Sequence, residues 1–199
     1  MKDMFKFAFV LGLVTAAAAA ALGIVNRITR PRIEAQQKLA LNEGLYAVLP
    51  GSQNGCIIKW RMEETGVVYT GYAEPDTTGL IGYALPVESK GYSSTIRTLV
   101  GLDSSRRIIA LEVLLQQETP GLGTKCEEIR PGESEPWFQK QFEGVSVSQI
   151  ALEQDGGKID AITGATITSA AITNGVRKAA DNLFRTMNAS SQTSRSGGV

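Results

Sequence analysis

The 199-residue sequence contains no histidine. A Ser-His-Asp triad, a Cys-His dyad and a histidine-bound metal are therefore excluded. The only two cysteines, Cys56 and Cys126, lie far apart and form no Cys-x-x-Cys pair. Zinc ribbons, iron–sulfur runs and thioredoxin-type sites need such spacing. Charge of neither sign dominates, with 20 Lys and Arg against 20 Asp and Glu. A nucleic-acid binder usually carries a basic excess. The sequence also lacks a Gly-x-Gly-x-x-Gly fingerprint and a Gly-Lys-Ser/Thr phosphate loop. Any chemistry here must use a hydroxyl, a carboxylate, an amine or a borrowed cofactor.

What is present begins with Phe7–Val25, a run without a single charge. As a helix it would reach roughly 28 Å, close to the roughly 30 Å of a hydrocarbon core. A transmembrane helix is expected over residues 7–26, after a short cytoplasmic amino terminus at 1–6. The alanine run Ala16–Ala21 leaves signal-peptide cleavage as an alternative. Lys2 and Lys6 precede the run, and Arg27, Arg30 and Arg32 follow it. By the positive-inside rule this count would place the main domain in the cytoplasm, but long domains can translocate despite flanking charge.

A connecting helix is expected over 27–50, from the spacing of Ile33, Leu39, Leu41, Leu45 and Val48, ended by Pro50-Gly51. Short strands are expected at Cys56–Trp60, Val67–Tyr72 and Leu80–Val87. The clearest hairpin joins Thr95–Leu102 to Arg107–Leu115. Ile96, Thr98, Val100 and Leu102 alternate on one face, as do Ile109, Leu111, Val113 and Leu115 on the return strand. Trp137–Phe142 reads as a short helix that Ser134 can cap, with Glu135 and Pro136 in its first turn. Ile167–Phe184 reads as the last helix, with Ile172, Val176, Ala179, Ala180 and Leu183 in one apolar stripe. The fold class is α/β in composition, a mixed α+β domain over 51–187. A disordered tail is expected over 188–199.

Small and hydroxyl residues crowd into Asp160–Ser169, directly before that helix. Free amides at a helix start favour an anion, and Gly164 allows close backbone approach. Thr163, Thr166, Thr168 and Ser169 can add donors. Spacing alone favours the plainer reading, an ordinary threonine cap with the other hydroxyls in solvent. Glu127-Glu128 and Glu133-Glu135 read as solvated acidic loops. Lys125 beside Cys126 could lower the thiol pKa.

Asp160-x-x-Thr163-Gly164-Ala165-Thr166, followed by Ile-Thr-Ser, resembles the flavinylation motif of the FMN-binding domain family. Glu118-Thr119-Pro120-Gly121-Leu122-Gly123 resembles the family's ETPGLG loop, and Gly91-Tyr92 with its hairpin is a third block. Trp137, Phe142 and the single amino-terminal span also fit. The resemblance covers about residues 5–185. The family includes the G subunit of the Rnf electron-transport complex and the C subunit of the sodium-translocating NADH:quinone reductase, and the short length resembles the former.

The resemblance implies covalent FMN, held as a phosphoester on Thr166 and placed there from FAD by a flavin transferase that Asp160 helps to engage. It implies cofactor contacts from Thr163, Gly164, Ala165, Thr168 and Ser169. It implies ring lining by Glu118, Thr119, Gly121, Leu122, Gly123 and Tyr92; a half-buried core role stays open for Tyr92. The implied function is a redox subunit, not an autonomous catalyst, in an inner-membrane complex moving electrons between ferredoxin and NAD with ion translocation. Its implied partners are the other subunits, with the domain extracytoplasmic. The alternatives are the equivalent quinone-reductase subunit, a flavin-free docking or assembly subunit, and a stand-alone flavin reductase.

Overall fold

A computed structural model describes residues 2–62 and 65–196, with side chains placed for 4–62 and 65–189. Met1 of the expected cytoplasmic terminus and residues 197–199 of the expected tail lie outside the described residues.

The amino-terminal region is one helix, α1, Lys2–Val48. The expected division into a span and a separate connecting helix is not seen. Pro31 sits inside α1. It cannot donate to the carbonyl four residues back, yet the helical run continues on both sides. By length and composition α1 can cross a membrane, and its large apolar residues from Met4 to Ile33 are all exposed. Contacts divide the chain into two compact units, 1–40 and 41–199. The domain thus starts at Leu41, ten residues before the expected boundary. The cause is packing: Leu45, Val48 and Leu49 are buried with Tyr69, Ala84 and Leu99.

The sheet is an antiparallel five-stranded meander in the order β1-β2-β3-β4-β5. Its strands are β1 (Cys56–Met62), β2 (Gly66–Tyr72), β3 (Leu80–Lys90), β4 (Thr95–Leu102) and β5 (Ile108–Leu115). The three earlier strands are each longer than expected, and the hairpin stands where it was expected. One phase differs. Gly101 pairs with Ala110 but Leu102 pairs with Ile108, so the register shifts there. The extra residue moves Ile108 into the main core and sends Ile109 to the opposite face beside the smaller cluster. Leu115, expected inside, is 38% exposed at the strand end.

The main core fills the other sheet face, between β3, β4 and α3 (Thr166–Ser196). Ile172, Val176, Ala180 and Leu183 are buried there, as the stripe predicts. Fully burying one such aliphatic side chain contributes about 1.5–3 kcal/mol, so this face fixes α3 on the sheet. α3 continues through the start of the expected tail to Ser196. No glycine or proline interrupts 185–196, so nothing local stops the helix once packing has started it.

The short helix α2 covers Trp137–Lys140. Its N-cap is Pro136, with no side-chain cap; Ser134 lies too far upstream to serve. Trp137, Phe138 and Phe142 pack edge to face in the core, and the Arg130 guanidinium stacks 3.8 Å from the Trp137 ring centroid.

Candidate functional site

Three segments meet at one end of the sheet: the turn after β3, the loop after β5, and the start of α3. They enclose a cleft of about 570 Å³. Tyr92 lines it from the first segment, Glu118, Thr119, Leu122 and Gly123 from the second, and Gly164–Thr168 from the third.

The start of α3 is built tightly. Gly164 has φ +79° in a turn closed by the Ala165 amide donating to the Ile162 carbonyl at 2.8 Å. Only glycine takes that conformation at little cost, and a Cβ there would also press on Leu122 at 3.1 Å. The Ser169 amide donates to the Ala165 carbonyl at 3.0 Å, so Ala165 is the N-cap and Thr166 the first helical residue. The amides of Thr166, Ile167 and Thr168 find no acceptor among the described residues. Three unpartnered N–H groups at the positive end of a long helix suit a phosphate.

The four hydroxyls of this segment point to different ends. Thr166 is exposed on the cleft. Thr163 is exposed but lies outside the cleft lining. Ser169 is fully buried; its Oγ accepts from the Ile162 amide at 2.9 Å and donates to the Ala165 carbonyl at 3.1 Å. Thr168 is buried and donates to Glu118 Oε2 at 2.6 Å. Ser169 and Thr168, expected as ligand donors, are therefore spent on the protein's own frame.

Glu118 is 4% exposed. Besides Thr168, its carboxylate accepts from the amides of Tyr92 (3.0 Å), Ser93 (3.1 Å) and Ser94 (2.9 Å), and from the Ser94 hydroxyl (3.0 Å). Burial alone would raise its pKa, but the bonds from Thr168, Tyr92 and Ser94 outweigh it and lower the value to about 2. Gly123 makes the arrangement possible, because a Cβ there would sit 2.6 Å from Glu118 Cβ and 2.9 Å from Thr168 Oγ1.

Apolar surface completes the cleft. Tyr92 is 70% exposed, Ile167 57% and Leu122 42%. Tyr92 is thus not a core residue. A flat aromatic ligand could cover all three while a phosphate meets the helix amides, so these residues fit an FMN. Ile167 went unnoticed in the sequence, although its place between two motif threonines was a usable signal. Gly121 shapes the loop at φ +75° but does not line the cleft. Asp160 lies outside the cleft too, exposed in a separate depression with Arg130 and Lys140. Its backbone is pinned by Gln141, whose Oε1 accepts from the Asp160 amide at 2.7 Å.

Both cysteines are free. Cys126 is fully buried, and burial with the Glu127 charge pushes its thiol up to about 12, opposite to the lowering that Lys125 suggested.

Comparison with known proteins agrees with this geometry. Residues 91–181 match the FMN-binding domain family, and residues 1–48 match the RnfG N-terminal region. Over 192 residues the chain is 31% identical to the G subunit of the ion-translocating oxidoreductase complex of Shewanella piezotolerans, covering 89% of this chain and 88% of that one. It is 35% identical to the corresponding G subunit of Stutzerimonas stutzeri, covering 91% and 81%. Among solved structures, Shewanella oneidensis NqrC aligns with a TM-score of 0.43 and 17% identity, over 66% of this chain and 65% of that one. Two relatives above 30% identity along most of both lengths settle the matter, and the chain belongs to the family of G subunits of ion-translocating oxidoreductase complexes.

Proposed function

We propose that this protein is a membrane-anchored electron-transfer subunit of an Rnf-type complex, carrying FMN as a phosphoester on Thr166. One observation carries the reading. Of the four hydroxyls near the start of α3, only Thr166 combines exposure with a place on the cleft beside three free amides. Bound there, FMN accepts two electrons and can release them singly, which suits a relay between partners.

The chain's own part is to bind, orient and hold. The amides of Thr166–Thr168 meet the phosphate. Tyr92, Leu122 and Ile167 present apolar surface to the ring, and Thr119 offers a hydroxyl at its edge. An isolated threonine hydroxyl is a weak nucleophile. No grouping of His, Cys, Asp or Glu among the described residues could hold an activating metal. The family's flavin transferase would supply base and metal. Thr166 Oγ would bond to the flavin-side phosphorus of FAD as the pyrophosphate bond breaks, with AMP leaving and the hydroxyl proton passing to the transferase. The exposed Asp160 carboxylate serves recognition by that enzyme.

α1 anchors the protein, and tethering keeps the flavin near the other subunits. The uncharged run Phe7–Val25 offers no ionisable group, so this span cannot itself be the ion path. The domain faces the extracytoplasmic side. Protease added to intact cells with a permeabilised outer layer should trim it, and full protection until the membrane ruptures would reverse the orientation.

The deciding experiment is Thr166→Val, expressed with a flavin transferase. The wild type should fluoresce in a denaturing gel and carry one FMN by mass, while the variant should do neither. Thr163→Ala should keep the flavin. Fluorescence that followed Thr163 would move the site, and a wild type that never acquired flavin would favour the docking or assembly role.

A further inference from the structure

We propose that Glu118 is the positioning residue of the cleft: its carboxylate clasps the Tyr92–Ser94 turn to the first turn of α3 and stands as a fixed negative charge in the cleft wall. The inference rests on the reading that FMN occupies this cleft.

The geometry is that of a clasp. Glu118 Oε2 accepts from the Tyr92 amide at 3.0 Å and the Thr168 hydroxyl at 2.6 Å. Glu118 Oε1 accepts from the Ser93 and Ser94 amides at 3.1 and 2.9 Å. One side chain thus joins segments 26 and 50 residues away in sequence. Tyr92, whose ring is exposed at the cleft, is held through its own amide. Thr166, whose hydroxyl is exposed there, lies two residues from the clasped Thr168 on the same helical turn. Two further bonds tie the turn to the same loop, from the Ser93 hydroxyl to the Gln117 carbonyl and from the Gln117 amide to the Ser94 hydroxyl, each at 3.0 Å, but the Glu118 carboxylate is the side-chain acceptor that the 92–94 amides meet among the described residues.

Glutamine cannot substitute. A carboxylate only accepts, and every group around it here donates. A glutamine amide brings two donors of its own, so one end must face N–H groups without accepting from them. The negative charge is lost as well. A fixed anion opposes negative charge arriving nearby, so the native carboxylate holds the midpoint potential of a cleft-bound flavin down.

Glu118→Gln and Thr168→Val separate the two roles. Glu118→Gln removes charge and clasp together, while Thr168→Val loosens the clasp and leaves the charge. The first readout is hydrogen exchange on the flavin-free full-length protein in detergent. In Glu118→Gln the amides of Tyr92, Ser93 and Ser94 should exchange at least tenfold faster, with β4 protection unchanged. In Thr168→Val the acceleration should be smaller. The second readout is the midpoint potential of the flavin-loaded proteins. It should rise in Glu118→Gln and should not rise in Thr168→Val.

Unchanged exchange at the three amides would overturn the clasp. Equal protection loss across the whole domain would reduce Glu118 to a general structural residue and overturn it too. Potentials that moved together in both variants, or not at all, would overturn the charge role. If Glu118→Gln did not fold, Thr168→Val alone would decide, since wild-type exchange at 92–94 in that variant overturns the clasp. The exchange outcomes do not depend on the flavin or on which hydroxyl bears it, because exchange is read without it; the potential outcomes require the loaded protein. A wild type that never takes flavin defeats the cofactor reading and the charge role, and leaves the clasp standing or falling by exchange.

Discussion

α1 and the start of α3 use their hydroxyl groups differently. In α1, Thr15 and Thr29 turn back onto the carbonyls of Leu11 and Val25, each at 2.9 Å. The one hydroxyl proton of each side chain is thereby kept within its own helix. At the start of α3, Thr168 reaches away to Glu118, and Ser169, besides donating back to the Ala165 carbonyl, accepts from the Ile162 amide. The Thr166 hydroxyl and the amides of Thr166, Ile167 and Thr168 have no hydrogen-bond partner among the described residues. The difference reflects what surrounds each helix. Within the apolar run hydrocarbon would offer Thr15 no partner, so its donor closes internally; Thr29, beyond that run, follows the ordinary back-bonding habit of threonine in a helix. A helix start held rigidly by neighbouring loops can leave groups open for a ligand, because those loops carry the structure in place of the helix's own bonds.

The largest effect after loss of Thr166 should come from breaking the inward side of this contrast. Ser169→Ala removes the acceptor of the buried Ile162 amide and the bond to Ala165. An orphaned buried amide costs about 1–3 kcal/mol, so thermal unfolding of the domain should shift down accordingly. Some flavin should still attach, because the Thr166 hydroxyl is untouched. Unchanged stability would mean that the hydroxyl does not bear on the turn at all.

How much of this was legible in the sequence depends on how local the cause is. The α3 stripe and the hairpin were readable, because periods near four and two residues report burial directly. The phase of β5 was not. A single extra residue near the Asp103–Arg107 turn reverses which of Ile108 and Ile109 faces the main core, and turn composition does not announce a bulge. The residues lining the cleft other than Ile167 were named, together with Gly121, Thr163 and Ser169, which do not line it, and the motif could not say which hydroxyls point inward. Thr168 and Ser169 are turned by partners fifty and seven residues away, and such partners leave no mark in local spacing. The continuous α1 was hidden for another reason: the end of the uncharged run near Arg27 reads as the division between span and connecting helix, although the backbone carries on through it.

A smaller effect is expected on the acid side. Glu118 lies at about 2 against an ordinary 4.5, so its bonds favour the folded state while it is ionised. The contribution is complete above about pH 4.5 and is lost as pH falls toward 2. Denaturation midpoints followed through that window should fall more steeply for the wild type than for Glu118→Gln, whose group cannot titrate. Parallel curves would show that the depressed pKa is not an energetic feature of the fold.

The smallest effect should lie in α1, where the contrast predicts almost none. Thr15 donates only to its own helix, to the carbonyls of Leu11 and Gly12 at 2.9 and 3.0 Å. Those carbonyls already serve helical amides, so Thr15→Val strands no buried donor. The change conserves shape and makes the span more apolar, which membrane insertion tolerates. Stability should move by less than about 0.5 kcal/mol, as for substitutions that touch no special feature. Membrane fractionation and the yield of covalent flavin should match the wild type. A clear loss of either, beside a harmless Thr29→Val, would show that Thr15 bonds across to another helix. The span would then be a specific contact within the complex, and the closed character assigned to α1 would fail at that position.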